Sequence, residues 1–185
     1  AYTAAVCEKI GHYKDKITAD TLYFGGGTPS VLGGKRVAMI INAARDMLTA
    51  DAEITVEANP ADNLDDFFIR CCDAGVNRLS LGLQSANDNE LELLTRRHNR
   101  NDVITAIKLA RKSGINNISL DLMLGTEAQT KESLIRSVDF CADMGATHVS
   151  AYMLKIEEGT PFATRKFATP LADDDPIAEL YLLAV

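Results

Sequence analysis

Apolar and polar positions along the 185 residues follow two rhythms in turn. Short apolar runs at Thr21–Phe24, Glu53–Glu57, Arg78–Leu83, Ile118–Met123 and His148–Met153 each predict a strand. The stretches between them carry helical spacing. Val37, Ile40, Ile41, Ala44 and Leu48 recur at helical steps, as do Leu64, Phe67, Phe68 and Cys71. Leu91, Leu94, Val103, Ile107 and Ala110 predict two helices broken near His98–Asn101, and Leu134, Val138, Cys141 and Met144 predict another. Tyr2–Lys14 reads as one more helix, ahead of any strand. Gly75, Gly114 and Gly145 stand where a helix should stop, a few residues before the next strand.

Strands alternating with helices at this length imply an α/β fold, a parallel sheet wound in βα units. No internal boundary is visible, so residues 1–185 are expected to be one domain. Asp173-Asp174-Asp175-Pro176 reads as a solvated loop and a helix start.

Polar residues sit where the apolar runs end. Gly25–Thr28 closes the first strand, Glu57 the second, Gln84 the third and Asp121 the fourth, while Tyr152 stands in the fifth. In a parallel β/α sheet these ends share the edge at which ligands bind. Carboxylates and an amide on otherwise apolar strands destabilise the fold unless a partner satisfies them. The three consecutive glycines of Thr21-Leu-Tyr-Phe-Gly-Gly-Gly-Thr-Pro-Ser30 leave main-chain groups bare for a polar ligand, and Pro29 pins the exit.

Composition narrows the classes. With 46% hydrophobic residues the chain can bury a sizeable core, and a net charge of −7 argues against a nucleic-acid or anionic-membrane surface. No apolar run approaches the roughly 20 residues of a membrane span, and no signal-peptide pattern opens the sequence, so a cytoplasmic location is expected. Cys7, Cys71, Cys72 and Cys141 show no metal-ligand spacing, and neighbours on a helix point about 100° apart. They read as small buried residues in a reducing compartment.

Taken in order, Gly25-Gly-Gly-Thr-Pro-Ser30, Glu57-Ala-Asn-Pro60, Arg78-Leu-Ser-Leu-Gly-Leu-Gln84-Ser, Asp121-Leu-Met-Leu-Gly125 and Ser150-Ala-Tyr-Met-Leu-Lys-Ile-Glu-Glu-Gly-Thr-Pro-Phe162 resemble a known family. They are similar to the radical S-adenosylmethionine enzymes of the oxygen-independent coproporphyrinogen III oxidase group, and most to its haem-chaperone branch. The resemblance covers essentially the whole chain. It implies a partial, open β/α barrel with S-adenosylmethionine on a 4Fe-4S cluster held by a Cys-x3-Cys-x2-Cys loop. This sequence has no such loop. It is expected to be a piece that begins downstream of the first strand and cluster loop, stops inside a helix, and is inert alone.

The resemblance also implies roles residue by residue. Gly26, Gly27 and Thr28 match the loop that holds the methionine amino end. Glu57 is a carboxylate suited to an ammonium, and Gln84 and Asp121 match residues that bind ribose hydroxyls. Arg96 falls where the family places an arginine for the methionine carboxylate, a group its guanidinium fork suits; the alternative is a surface charge beside Arg97. Related oxidases bind two S-adenosylmethionine molecules, so Glu57 and Gln84 need not touch the same one. Tyr152–Lys155 is expected to line the adenine. Gly125-Thr-Glu-Ala departs from the Gly-Leu-Pro usual after the fourth strand.

Three functions stay open. A radical decarboxylase would act on coproporphyrinogen III propionates. A haem chaperone would bind haem and pass it to an acceptor protein, with His98 the histidine to test against a polar surface role; His12 and His148 complete the set, and His148 is expected to pack at a strand start. An ordinary β/α-barrel enzyme would hold a phosphate on the glycine loop.

Overall fold

In the computed structural model, which describes residues 1–160, 162–165 and 174–184, every apolar run becomes a strand. The strands are β1 (Ala19–Phe24), β2 (Leu48–Ala58), β3 (Arg78–Gln84), β4 (Asn117–Leu124) and β5 (His148–Met153). Helix α1 (Tyr2–Gly11) precedes β1, and α2 (Pro29–Leu32) and α3 (Gly34–Ala44) lead to β2. Helix α4 (Asp65–Asp73) leads to β3, α5 (Asp88–Leu93) and α6 (Arg100–Lys112) to β4, and α7 (Lys131–Asp143) to β5. Helix α8 (Asp174–Ala184) follows; Asp173 and Pro161, part of the stretches singled out above, lie outside the described residues.

The strands form one sheet in the order β1-β2-β3-β4-β5, and β2 pairs parallel with both β1 and β3. Each helical crossover therefore adds the next strand beside the last, as the alternation of elements requires. Strand β2 starts at Leu48 rather than Glu53, and its pairing with β1 shifts register between Ala19 and Thr21. The polar Asp51 hid that early start. Helix α1 ends at Gly11 and passes into turns rather than running to Lys14.

Contacts group the chain into two compact units, Ala1–Leu81 with Thr105–Ser119, and Gly82–Ile104 with Leu120–Val185. In the first, α3 packs against α1 and α4, and Val37, Ile41, Val56, Phe68 and Leu79 are fully buried. In the second, Leu124, Leu134 and Leu180 form a cluster edged by Val138, Ala151 and Ala184.

Strands β2, β3 and β4 alternate. Ile54, Val56 and Ala58 of β2, Leu79, Leu81 and Leu83 of β3, and Ile118, Leu120, Leu122 and Leu124 of β4 are all buried. The intervening positions are Glu53, Thr55 and Glu57; Arg78, Ser80, Gly82 and Gln84; Asn117, Ser119, Asp121 and Met123. Successive residues of a strand point to opposite faces, so each of these three strands has one apolar row and one mainly polar row. Register places Thr55 beside Tyr23 and Arg78, and Glu57 beside Ser80. Arg78 donates to Thr55 Oγ1 at 3.4 Å, and its guanidinium lies 3.9 Å from Glu53, so this part of the polar row satisfies itself.

Four helices close with the same device. The N–H three residues past the last helical residue returns to the third-last helical carbonyl: Val76 to Cys71, Arg96 to Leu91, Ile115 to Ala110, and Ala146 to Cys141. The residue just before each of these donors takes positive φ. It is Gly75 (102°), Gly114 (104°) and Gly145 (62°), as the sequence predicted, but Thr95 (56°) after α5. A β-branched residue in the left-handed region is strained by about 1–2 kcal/mol, partly offset by the extra unfolded-state freedom of glycine. Thr95→Gly is expected to stabilise the chain by about 1 kcal/mol, raising Tm by roughly 2–4 °C. Thermal unfolding by circular dichroism checks this; a lowered Tm would show that the threonine is not strained there.

Candidate functional site

Within the first unit, β1 runs into Gly25-Gly26-Gly27, where Gly26 has φ 70° and Thr28 φ 27°. Pro29 is buried and opens α2. A Cβ added at Gly26 or Gly27 would meet no atom within 4 Å, so this stretch of main chain lies open. Gly25 differs. A Cβ there would fall 2.7 Å from Tyr23 Cε1 and 2.8 Å from Glu57 Oε1. Those two side chains meet beneath it, the Tyr23 hydroxyl donating to Glu57 Oε1 at 2.8 Å.

The next residues tie the first two motifs together. Ser30 donates its hydroxyl to the Asp62 carboxylate and accepts from the Asn59 N–H at 3.4 Å. Asn59 Oδ1 in turn accepts from the Ala61 N–H at 3.0 Å, which shapes the turn after Glu57. A groove of about 740 Å³ adjoins the loop, lined by Tyr2, Ile10, Phe24, Gly26, Leu32 and Ile40 among others.

In the second unit, Gln84 ends β3 with φ 68° and is buried. The Tyr152 hydroxyl donates to its Oε1 at 2.9 Å. The amide folds back over Gly82, where a Cβ would come within 2.9 Å of Nε2. Tyr152, singled out for an adenine, thus holds another site residue. Lys155 beside it is exposed and pairs with Glu157 at 3.1 Å.

Arg96 directly follows the strained Thr95, half-buried, with a buried Nε that has no partner. Asp121 is half-buried on the polar row of β4. Burial, with a smaller push from the Asp121 charge, raises the Cys141 thiol to about 12, and burial does the same for Cys71, so neither is a reactive thiolate.

The departure at Gly125-Thr126-Glu127-Ala128 is built into the fold. Glu127 is buried and pairs with Arg165 at 3.1 Å, and Arg165 also donates to the Leu93 carbonyl at the end of α5. Gln129 accepts from the Gly125 N–H at 2.7 Å and donates to the Met123 carbonyl at 3.0 Å. Tyr23, Asp62 and Arg165 escaped the sequence reading. Tyr23 could have been found, since two residues before Gly25 puts it on the same strand face. Arg165 follows a segment without periodicity and left no signal.

A sequence profile of the Radical SAM superfamily matches residues 3–141. The chain belongs to the radical S-adenosylmethionine superfamily. It is 42% identical over 173 residues to the heme chaperone HemW of Mycobacterium tuberculosis, covering 91% of this chain and 44% of that protein. Against the heme chaperone HemW of Escherichia coli it is 38% identical over 163 residues, covering 87% and 43%. The chain therefore spans under half the length of these relatives. Among solved structures it is similar to the coproporphyrinogen III oxidase HemN of Escherichia coli, with TM-score 0.83 and 24% identity over 98% of this chain and 43% of that one. That likeness shows the fold, an open β/α barrel of the radical S-adenosylmethionine type.

Radical S-adenosylmethionine proteins imply that cofactor and a 4Fe-4S cluster. In the first unit the bare glycine loop and the fixed Glu57 carboxylate are chemically suited to an ammonium such as that of S-adenosylmethionine; in the second, Arg96 keeps a buried Nε without a partner. The cluster has no such fit. Among the described residues no three His, Cys, Asp or Glu side chains converge as metal ligands do. No described helix is long and apolar enough to cross a membrane.

His98 is neither a surface residue nor a ligand presented outward. It is 4% exposed, with Nε2 3.2 Å from the Leu83 carbonyl and Nδ1 buried without a partner. His12 is exposed, and so is His148 at the start of β5, where a packed residue was expected. Burial, chiefly, lowers the His98 pKa from its ordinary 6.5, the Leu83 hydrogen bond opposing it. Below about 6.5 the unfolded chain therefore binds more protons at this residue than the folded one, and stability falls as the solution is acidified. The urea midpoint is expected to be lower at about pH 5.5 than at about pH 7.5, and His98→Gln to shrink that difference. An equal pH response in both proteins would remove His98 as the cause.

Proposed function

We propose that this chain is the S-adenosylmethionine-binding part of a longer haem-chaperone-type protein. In this reading Gly26, Gly27 and Thr28 receive the methionine amino end through main-chain groups, and Glu57 faces its ammonium. Arg96 takes the carboxylate, Gln84 and Asp121 the ribose hydroxyls, and the cluster's cysteines lie outside these 185 residues. The observation that carries the cofactor assignment is the open loop abutting a carboxylate already held at 2.8 Å. When bound, cluster and cofactor supply one-electron cleavage of a carbon–sulfur bond, while the protein orients the ligand and excludes water.

Likeness supports the haem-chaperone branch, since 42% identity over 91% of the chain relates it to a heme chaperone and only 24% to the oxidase. The second reading, oxidative decarboxylation of coproporphyrinogen III, is favoured by the 0.83 TM-score alone. The ligand carried would be haem or a porphyrin, with an acceptor protein as partner. A cytoplasmic setting accords with four cysteines that remain free thiols.

The test is anaerobic reconstitution of the full-length protein with iron and sulfide. The expected result is a haem-induced spectral shift with no conversion of coproporphyrinogen III; vinyl products would establish the oxidase reading instead. Arg96→Ala is expected to weaken S-adenosylmethionine binding at least about tenfold, as loss of a charge-assisted pair does. Unchanged affinity would return Arg96 to a surface charge.

A further inference from the structure

A lone carboxylate on a strand end is a poor template for an ammonium, because its rotamers are free and each ligand must freeze one. Glu57 is not free. Tyr23 Oη donates to Oε1, while Oε2 takes no hydrogen bond among the described residues. Register explains how they meet: Tyr23 sits beside Thr55, so Tyr23 and Glu57 share one sheet face, diagonal to each other. Gly25 lies over the pair, and any side chain there would overlap both the tyrosine ring and Oε1. Its φ is not positive, so this glycine answers a need for space rather than for backbone freedom. The Tyr23 ring is 54% exposed, so core packing does not explain an aromatic at this position.

We propose that Tyr23 is a positioning residue for the cofactor's ammonium: it fixes Glu57 by Oε1, leaves Oε2 for the ligand, and requires glycine at position 25. This rests on the reading of the loop as the S-adenosylmethionine site and adds to it a residue that does not itself touch the ligand. A carboxylate held by a hydroxyl through one oxygen loses rotational freedom and keeps its second oxygen available as an acceptor. Phenylalanine at position 23 would keep the ring and release the carboxylate.

The experiment is calorimetric binding to the reconstituted full-length protein, using S-adenosylmethionine and its analogue lacking the α-amino group. Tyr23→Phe is expected to weaken S-adenosylmethionine about fivefold or more and to leave the analogue unchanged. Gly25→Ala, which displaces the same pair, should show the same selective loss. In a Glu57→Gln background, adding Tyr23→Phe should change nothing further. Equal weakening of both ligands by Tyr23→Phe would mean a general structural defect and overturns the proposal, as does no weakening of either. If the unsubstituted protein binds neither ligand, the cofactor reading falls and takes this role with it. If it binds S-adenosylmethionine and Tyr23→Phe binds it equally well, only the role of Tyr23 falls.

Discussion

Most parallel sheets bury both faces and read as near-continuous apolar runs, yet here polar side chains occupy every second position of β2 from Thr49 to Glu57, and all but Gly82 and Met123 of the corresponding positions in β3 and β4. The strands are secured by one row each, whose leucines, isoleucines and valines are almost wholly removed from water. The other row is tolerable only where each polar group finds a partner or solvent. At the start of β3 it finds partners within the sheet, through Arg78, Thr55 and Glu53. Toward the strand ends the partners are tyrosine hydroxyls, Tyr23 on Glu57 and Tyr152 on Gln84. Each leaves polar capacity on the residue it holds. Glu57 and Gln84, two of the residues proposed for the cofactor, stand in that unfinished part of the polar row.

Phase matters because a slip of one residue would exchange the two rows. The helix ends set it. Each of the four hydrogen-bonded caps reverses the chain in a fixed number of residues, so β3 and β4 start with their apolar positions, Leu79 and Ile118, already turned to the core. Strain is concentrated near the same chemistry. Of the five non-glycine residues with positive φ among the described residues, Thr28, Gln84 and Thr95 lie within or next to the motifs proposed for the cofactor. Such conformations persist where surrounding structure over-determines them, and their cost is accepted at functional sites.

Much of this was legible in the chain. The strands showed as short apolar runs, the helices as helical spacing, and three caps as glycines a few residues before a strand. The site motifs were visible because glycine, carboxylate and amide residues are out of place at the ends of apolar runs. Thr95 was not legible as a cap, since only glycine or asparagine carries that signal. His98 was misjudged for a similar reason: an imidazole between Arg97 and Asn99 looks solvated, whereas the fold buries it against the Leu83 carbonyl.

The sequence by itself determined the order of elements, the parallel winding and the residue types available for binding, because periodicity and backbone preference are local properties. Tertiary structure alone decided which partners those residues received. Tyr23 reaches Glu57 across 34 positions, Tyr152 reaches Gln84 across 68, and Arg165 reaches Glu127 across 38. No local pattern records a hydrogen bond of that span; it exists only once the strands are paired and the connecting segments have been brought back against their ends.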